Sequence, residues 1–195
     1  MEDLGGYSAV AAGVTAVVAG ILLAAFFATR NETLGHANDA ASAVMAILLM
    51  PAAIAVFNRF VDTGPLIVVV TGVGLAGMAV AAVASLLTAA GRLSVSQLTA
   101  WQGGSFLVLF LWVVGTSLTI LLWGRLPVGL GWLGLAAGML VIVATVEILR
   151  LARRMGGLAA LEKLDRPPLV AMITTLGAFA AFPIWCIWLG LTLTG

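Results

Sequence analysis

Glu32, His36 and Asp39 are the nearest this sequence comes to a set of side chains that could do chemistry together. They lie in its densest polar run, Arg30-Asn-Glu-Thr-Leu-Gly-His-Ala-Asn-Asp39. On a helix they would fall at i, i+4 and i+7 and share one face. Such a trio could bind a metal, or pair a general base with the carboxylate that orients it. Two features oppose this: Gly35 weakens a helix here, and Asn38 and Asp39 are well suited to cap the helix that follows. The expected state is a solvated interfacial loop with no metal and no catalytic residue, and a membrane enzyme with its site at Glu32, His36 and Asp39 is the alternative.

Tryptophans offer a different chemistry. Trp101, Trp112 and Trp123 are spaced by eleven, so each falls about 20° from the last at 3.6 residues per turn. Trp101 and Trp123 are separated by about 33 Å at 1.5 Å per residue, which suits two interfacial belts and leaves Trp112 at the midplane. Ser105, Thr116 and Thr119 share that stripe. Near the carboxyl end, Thr174, Ala178, Ala181, Trp185 and Thr192 share a second face, with Cys186 and Trp188 beside it. A buried indole needs an acceptor for its N–H. Two stripes of this kind, with Ser105, Trp112, Thr116, Thr119 and Trp185, could wall a cavity for a quinone, lipid or pigment. The plainer reading is helix packing with aromatic belts.

Other chemistries are excluded by absence. One histidine cannot make a bis-histidine haem, and the only lysine, Lys163, lies in a loop, where no Schiff base would be buried. There is no P-loop and no His-Glu-x-x-His, and no cofactor is expected. The single Cys186 rules out an internal disulfide, and a net charge of +1 gives no basis for nucleic-acid binding.

The elements that must position these residues are read from composition. Hydrophobic residues make up 63% of the chain and charged residues 9%, against about 25% charge in a soluble domain. Mean hydropathy is +1.19. Six apolar stretches, at 7–29, 40–57, 65–90, 100–123, 128–149 and 168–194, are each long enough to cross all or most of a hydrocarbon core about 30 Å thick. Helix is the only open-chain structure that satisfies every backbone group inside lipid. The expected architecture is therefore an all-α, six-helix integral membrane bundle forming one domain over residues 1–195. Pro65, Pro127 and Pro168 stand at helix starts, whereas Pro51 and Pro183 fall inside spans and should kink them. Glu147 is the only charged side chain inside a span, and Arg150 at i+3 makes an interfacial ion pair the expected arrangement.

Basic residues set the orientation. Arg30, Arg92, Arg150, Arg153, Arg154, Lys163 and Arg166 lie on one side, and only Arg59 and Arg125 on the other. By the positive-inside rule the richer side is cytoplasmic and both termini are external. The acidic start (Glu2, Asp3) does not read as a signal peptide, and eight arginines to one lysine suggest a GC-rich bacterial genome. The 150–167 stretch reads as a helical extension, a break at Gly156 and Gly157, and a short amphipathic helix in the interface, where anionic lipid could bind.

Small residues recur at Gly20/Ala24/Ala28, Gly72/Ala76, Gly77/Ala81 and Gly134/Gly138, as either internal packing or a dimer face. Gly74-Leu-Ala-Gly-Met78 and Gly134-Leu-Ala-Ala-Gly-Met139 form a loose repeat, each after a proline. The run Leu126-Pro-Val-Gly-Leu-Gly-Trp-Leu-Gly-Leu-Ala-Ala-Gly-Met-Leu140 resembles the fifth-helix signature of small bacterial six-helix membrane proteins grouped as a domain of unknown function. That resemblance implies a bacterial plasma-membrane bundle and no particular activity. The expectation is a non-catalytic bundle among membrane lipids that binds or passes a small apolar or amphipathic molecule, or an accessory subunit with a membrane partner. A small-solute transporter is a further alternative, although a charge-coupled one is disfavoured because no midplane carboxylate or cation is available.

Overall fold

Side-chain size decides how these helices meet. The buried face of α1 (Glu2–Thr29) consists only of glycine, alanine and serine, from Gly5 to Ala19, while Val14, Val17, Val18 and Ile21 point outward. Lipid tails are as apolar as leucine, so burying a large side chain gains little. Close backbone approach gains dispersion contacts instead, and small residues permit it.

The computed structural model describes residues 2–92, 95–155 and 169–195. α1 is followed by α2 (Glu32–Phe60), a 3-10 turn at Val61–Thr63, α3 (Pro65–Ala89), α4 (Val95–Trp123), α5 (Val128–Met155) and α6 (Leu169–Thr194). No strand occurs among the described residues, and all six helices are long and apolar enough to cross a membrane. Each packs on its sequence neighbours, and α6 returns to α1, so the six close into an up-and-down ring. Glycines make that closing seam: a Cβ on Gly13 would stand 2.8 Å from the Pro183 carbonyl oxygen, and one on Gly190 2.5 Å from that of Gly6. The α4–α5 turn depends on Gly124, whose φ of 63° suits glycine and whose N–H caps the Ile120 carbonyl at 2.9 Å.

The run expected to be a loop is mostly helix. Asn31, not Asn38 or Asp39, caps α2: its side-chain oxygen accepts from Thr33 N–H at 3.0 Å. Gly35 lies inside the helix, its Cβ position 3.3 Å from the Phe26 ring of α1, so a tertiary contact outweighs its weak helix propensity. α1, α4 and α5 likewise run beyond the apolar cores that mark them in sequence, because a helix satisfies its own backbone equally well in the headgroup layer. α2 and α6 continue through Pro51 and Pro183. Pro51 leaves the Ile47 carbonyl without its helical donor, and one residue further on Ser8 of α1 donates its hydroxyl to the Leu48 carbonyl.

Gly77/Ala81 and Gly134/Gly138 are buried between helices, whereas Gly72, Ala76, Ala24 and Ala28 are exposed. At the end bearing the termini, Tyr7, Trp123, Trp132 and Trp188 are exposed within about 9 Å of their helix ends, forming an interfacial belt. Charges sit beside it. Arg59 pairs with Glu2 at 3.1 Å, and Arg125 grips both Asp62 oxygens at 2.5 and 2.8 Å while donating to the Arg59 carbonyl at 2.7 Å. That hydrogen-bonded guanidinium holds the Asp62 carboxyl below its ordinary value. Both basic residues on the sparser side of the chain are thus matched by carboxylates. At the opposite end Glu147 and Arg150 pair at 2.6 Å. The Trp101 side chain, the break at Gly156 and Gly157, and the amphipathic stretch after it lie outside the described residues.

Candidate functional site

Trp112 of α4 and Trp185 of α6 meet at the centre of the ring. Their exposures are 1% and 0%, and their rings stand edge to face with centroids 5.7 Å apart at 81°. Phe182 stacks on Trp185 at 6.4 Å, and Phe110 tilts against Phe182 at 5.0 Å. Two glycines admit the indoles. A Cβ on Gly74 of α3 would lie 2.4 Å from Trp112, and one on Gly134 of α5 would lie 2.3 Å from Trp185 Nε1 and 2.2 Å from Ser117 Oγ. The first glycine of each copy of the loose repeat therefore has the same job: each seats a tryptophan of the following helix.

The indoles bring polar atoms that the protein does not satisfy. Thr71 Oγ1, Trp112 Nε1, Thr116 Oγ1, Ser117 Oγ and Trp185 Nε1 are buried with no hydrogen-bond partner. Close approaches fix their relative heights. Gly74 meets Trp112, Gly77 meets Leu109 and Gly115 meets Val70, which sets Thr71 level with the turn holding Gly115 and Thr116. Gly134 sets Trp185 level with Ser117. All five residues thus lie within the depth of positions 112–117 of α4, about 8 Å at 1.5 Å per residue. The shared contact on Gly134 also puts Ser117 Oγ and Trp185 Nε1 within about 4.5 Å of each other, by the sum of their two distances to that point. An unpaired buried polar group costs about 1–3 kcal/mol. In lipid no hydrophobic term offsets it. Two donors and three hydroxyls are thus concentrated in one layer.

The sequence candidates divide accordingly. Trp112, Thr116 and Trp185 are in this layer, but Thr119 donates to its own helix at Gly115 O, 2.8 Å away. Ser105 lies lower and lines a groove of about 460 Å³ between α3 and α4 with Val73, Ala76, Gly77, Val80, Gly104 and Val108. Val73 and Val80 are 47% and 40% exposed, so the groove opens toward lipid, and its upper end adjoins the Gly74–Trp112 contact. The two indoles pack directly against each other. Thr71 and Ser117 were not candidates in sequence, although Ser117 adjoins Thr116 and Thr71 stands one turn before Gly74.

Glu32, His36 and Asp39 do share the start of α2, as a helix requires, yet Glu32 and His36 are exposed. Among the described residues no three His, Cys, Asp or Glu side chains could hold a metal. His36→Ala is expected to leave stability and composition unchanged. Metal analysis of purified protein checks this, and stoichiometric zinc or iron lost in that variant would restore the enzyme reading. No family model matches the chain, and no curated protein or solved structure is significantly similar to it.

Proposed function

We propose that this bundle is a non-catalytic membrane protein that binds or passes a small amphipathic lipophile carrying hydrogen-bond acceptor oxygens. The layer of five orphaned polar atoms carries the reading. Trp112 and Trp185 supply N–H donors, and Thr71, Thr116 and Ser117 can donate or accept. The guest reaches the layer from the bilayer through the α3–α4 seam, whose groove holds its apolar part. A carbonyl-bearing headgroup of the quinone or lipid type fits two indole donors better than a pure hydrocarbon does.

Thr116→Val tests this with two readouts. It keeps the side chain's shape and removes an orphaned hydroxyl, so the guest-free protein should gain about 1 kcal/mol in stability. Retention of a co-purifying lipophile, read by native mass spectrometry, should fall in the same preparation. Stability gained with no lipophile in either protein would leave the layer as packing alone. A role as accessory subunit is the second reading. It is supported by Gly72, Gly103 and Gly104, whose open faces on α3 and α4 would admit a partner helix. A retained second chain in the same spectra would favour it.

We propose a bacterial plasma membrane, from the excess of arginine over lysine and the resemblance of the 126–140 run, with both termini external and the 150–167 stretch cytoplasmic on the count of basic residues. In a Cys186-free background, Gly157→Cys should stay unlabelled by an impermeant thiol reagent in intact cells and react after permeabilisation. Labelling of intact cells would invert the topology.

A further inference from the structure

The end of α5 farthest from the aromatic belt carries a surface of another kind. Val146, Leu149, Arg150 and Arg153 fall at i, i+3, i+4 and i+7 on one helix face and line a single groove of about 240 Å³. Arg150, Arg153 and Arg154 are all exposed. Glu147 neutralises part of this charge through its bond to Arg150 at 2.6 Å, and three arginines less one glutamate leave the cluster at +2. Depth places it at the hydrocarbon boundary. Trp132, in the belt on the same helix, is 18 residues from Arg150 and 21 from Arg153. At 1.5 Å per residue those separations are about 27 Å and about 32 Å, which match a hydrocarbon core about 30 Å thick. Valine and leucine therefore face acyl chains while the guanidiniums stand at the depth of phosphates.

We propose that this groove is a binding site for an anionic phospholipid of the surrounding leaflet, with an acyl chain along Val146 and Leu149 and the phosphate held by Arg150 and Arg153. Guanidinium forks suit phosphate oxygens, and charge-assisted bonds of this kind exceed neutral ones in strength. Glu147 competes for Arg150 and so tunes the site.

The test uses the full-length protein in mild detergent with equimolar phosphatidylglycerol and phosphatidylcholine, followed by native mass spectrometry. Wild type should retain phosphatidylglycerol preferentially. Each arginine contributes about fivefold near a membrane surface, so Arg150→Gln with Arg153→Gln should reduce the preference about twenty-five-fold. Arg153→Gln alone should give an intermediate value should the double variant fold poorly. Glu147→Gln should raise the preference, a sign that a merely structural ion pair does not predict. Leu122→Ala, exposed at the opposite end of the bundle, should leave it unchanged. Equal retention of both lipids by wild type, a preference untouched in the arginine variants, or displacement of the lipid by millimolar inorganic phosphate would overturn the proposal.

Discussion

Gly134→Ala is expected to destabilise the bundle by about 3 kcal/mol, the upper part of the usual range for overpacking. One methyl group would enter a space where Ser117 Oγ stands 2.2 Å away and Trp185 Nε1 2.3 Å away. Serine can change rotamer, but the Trp185 ring is held by the stacked Phe182 and by its edge-to-face contact with Trp112. The added carbon must therefore move α5 or the aromatic cluster. Gly74→Ala should behave alike, since its methyl would meet three Trp112 atoms at 2.4 to 2.8 Å. Gly72→Ala is the control: nothing lies within 4 Å of that position, and alanine is the better helix former. Thermal unfolding in one detergent compares the three. Ser117→Ala combined with Gly134→Ala should recover part of the loss, because one of the two collisions disappears. Equal midpoints for the Gly72 and Gly134 variants would show that the indoles are not seated on glycine.

The same glycines show why part of this fold is legible in sequence and part is not. Six spans follow from uninterrupted apolar length, and the closeness of Glu147 and Arg150 follows from i,i+3 spacing. Which face of a helix turns inward does not follow from hydrophobicity, because both the lipid side and the protein side are apolar. On α1 the distinguishing signal is volume: Ala9, Ala12, Gly13 and Ala16 inside against Val14, Val17, Val18 and Ile21 outside. Read that way, the Ala9/Gly13 and Ala12/Ala16 spacings mark the α1 seams as clearly as the pairs singled out on other helices. The α2 start was misplaced for a different reason. Asn31 and Asp39 are equally good caps in isolation, and packing of Phe26 over Gly35, a contact between two helices, favours the first. Trp112 emerged from its regular spacing, but the site around it did not. Thr71 and Ser117 join it only through the register that Gly74, Gly115 and Gly134 impose on three helices.

Trp112→Ala separates packing from binding. The indole is 1% exposed, so it does not face acyl chains, and its truncation should lower stability by about 3–5 kcal/mol, the range for a buried tryptophan in a soluble core. The loss should reach Trp185, which packs on the Trp112 ring, and should appear as changed tryptophan fluorescence before unfolding. Stability alone does not distinguish a core residue from a ligand-holding one. Trp112→Phe does: it keeps most of the ring and its contact with Gly74 while removing the Nε1 donor. A buried donor without a partner costs stability when the site is vacant, and its removal offsets part of the packing lost with the smaller ring, so the phenylalanine variant should remain near wild-type stability in lipid-stripped detergent. With the co-purified lipophile present, wild type should gain thermal stability from binding and the variant should gain less, because ligand linkage scales with affinity. Lipophile content and melting temperature, measured before and after stripping on the same preparations, give both comparisons. Unchanged lipophile in Trp112→Phe, beside a clear stability loss in Trp112→Ala, would reduce the tryptophan pair to the keystone of a six-helix ring.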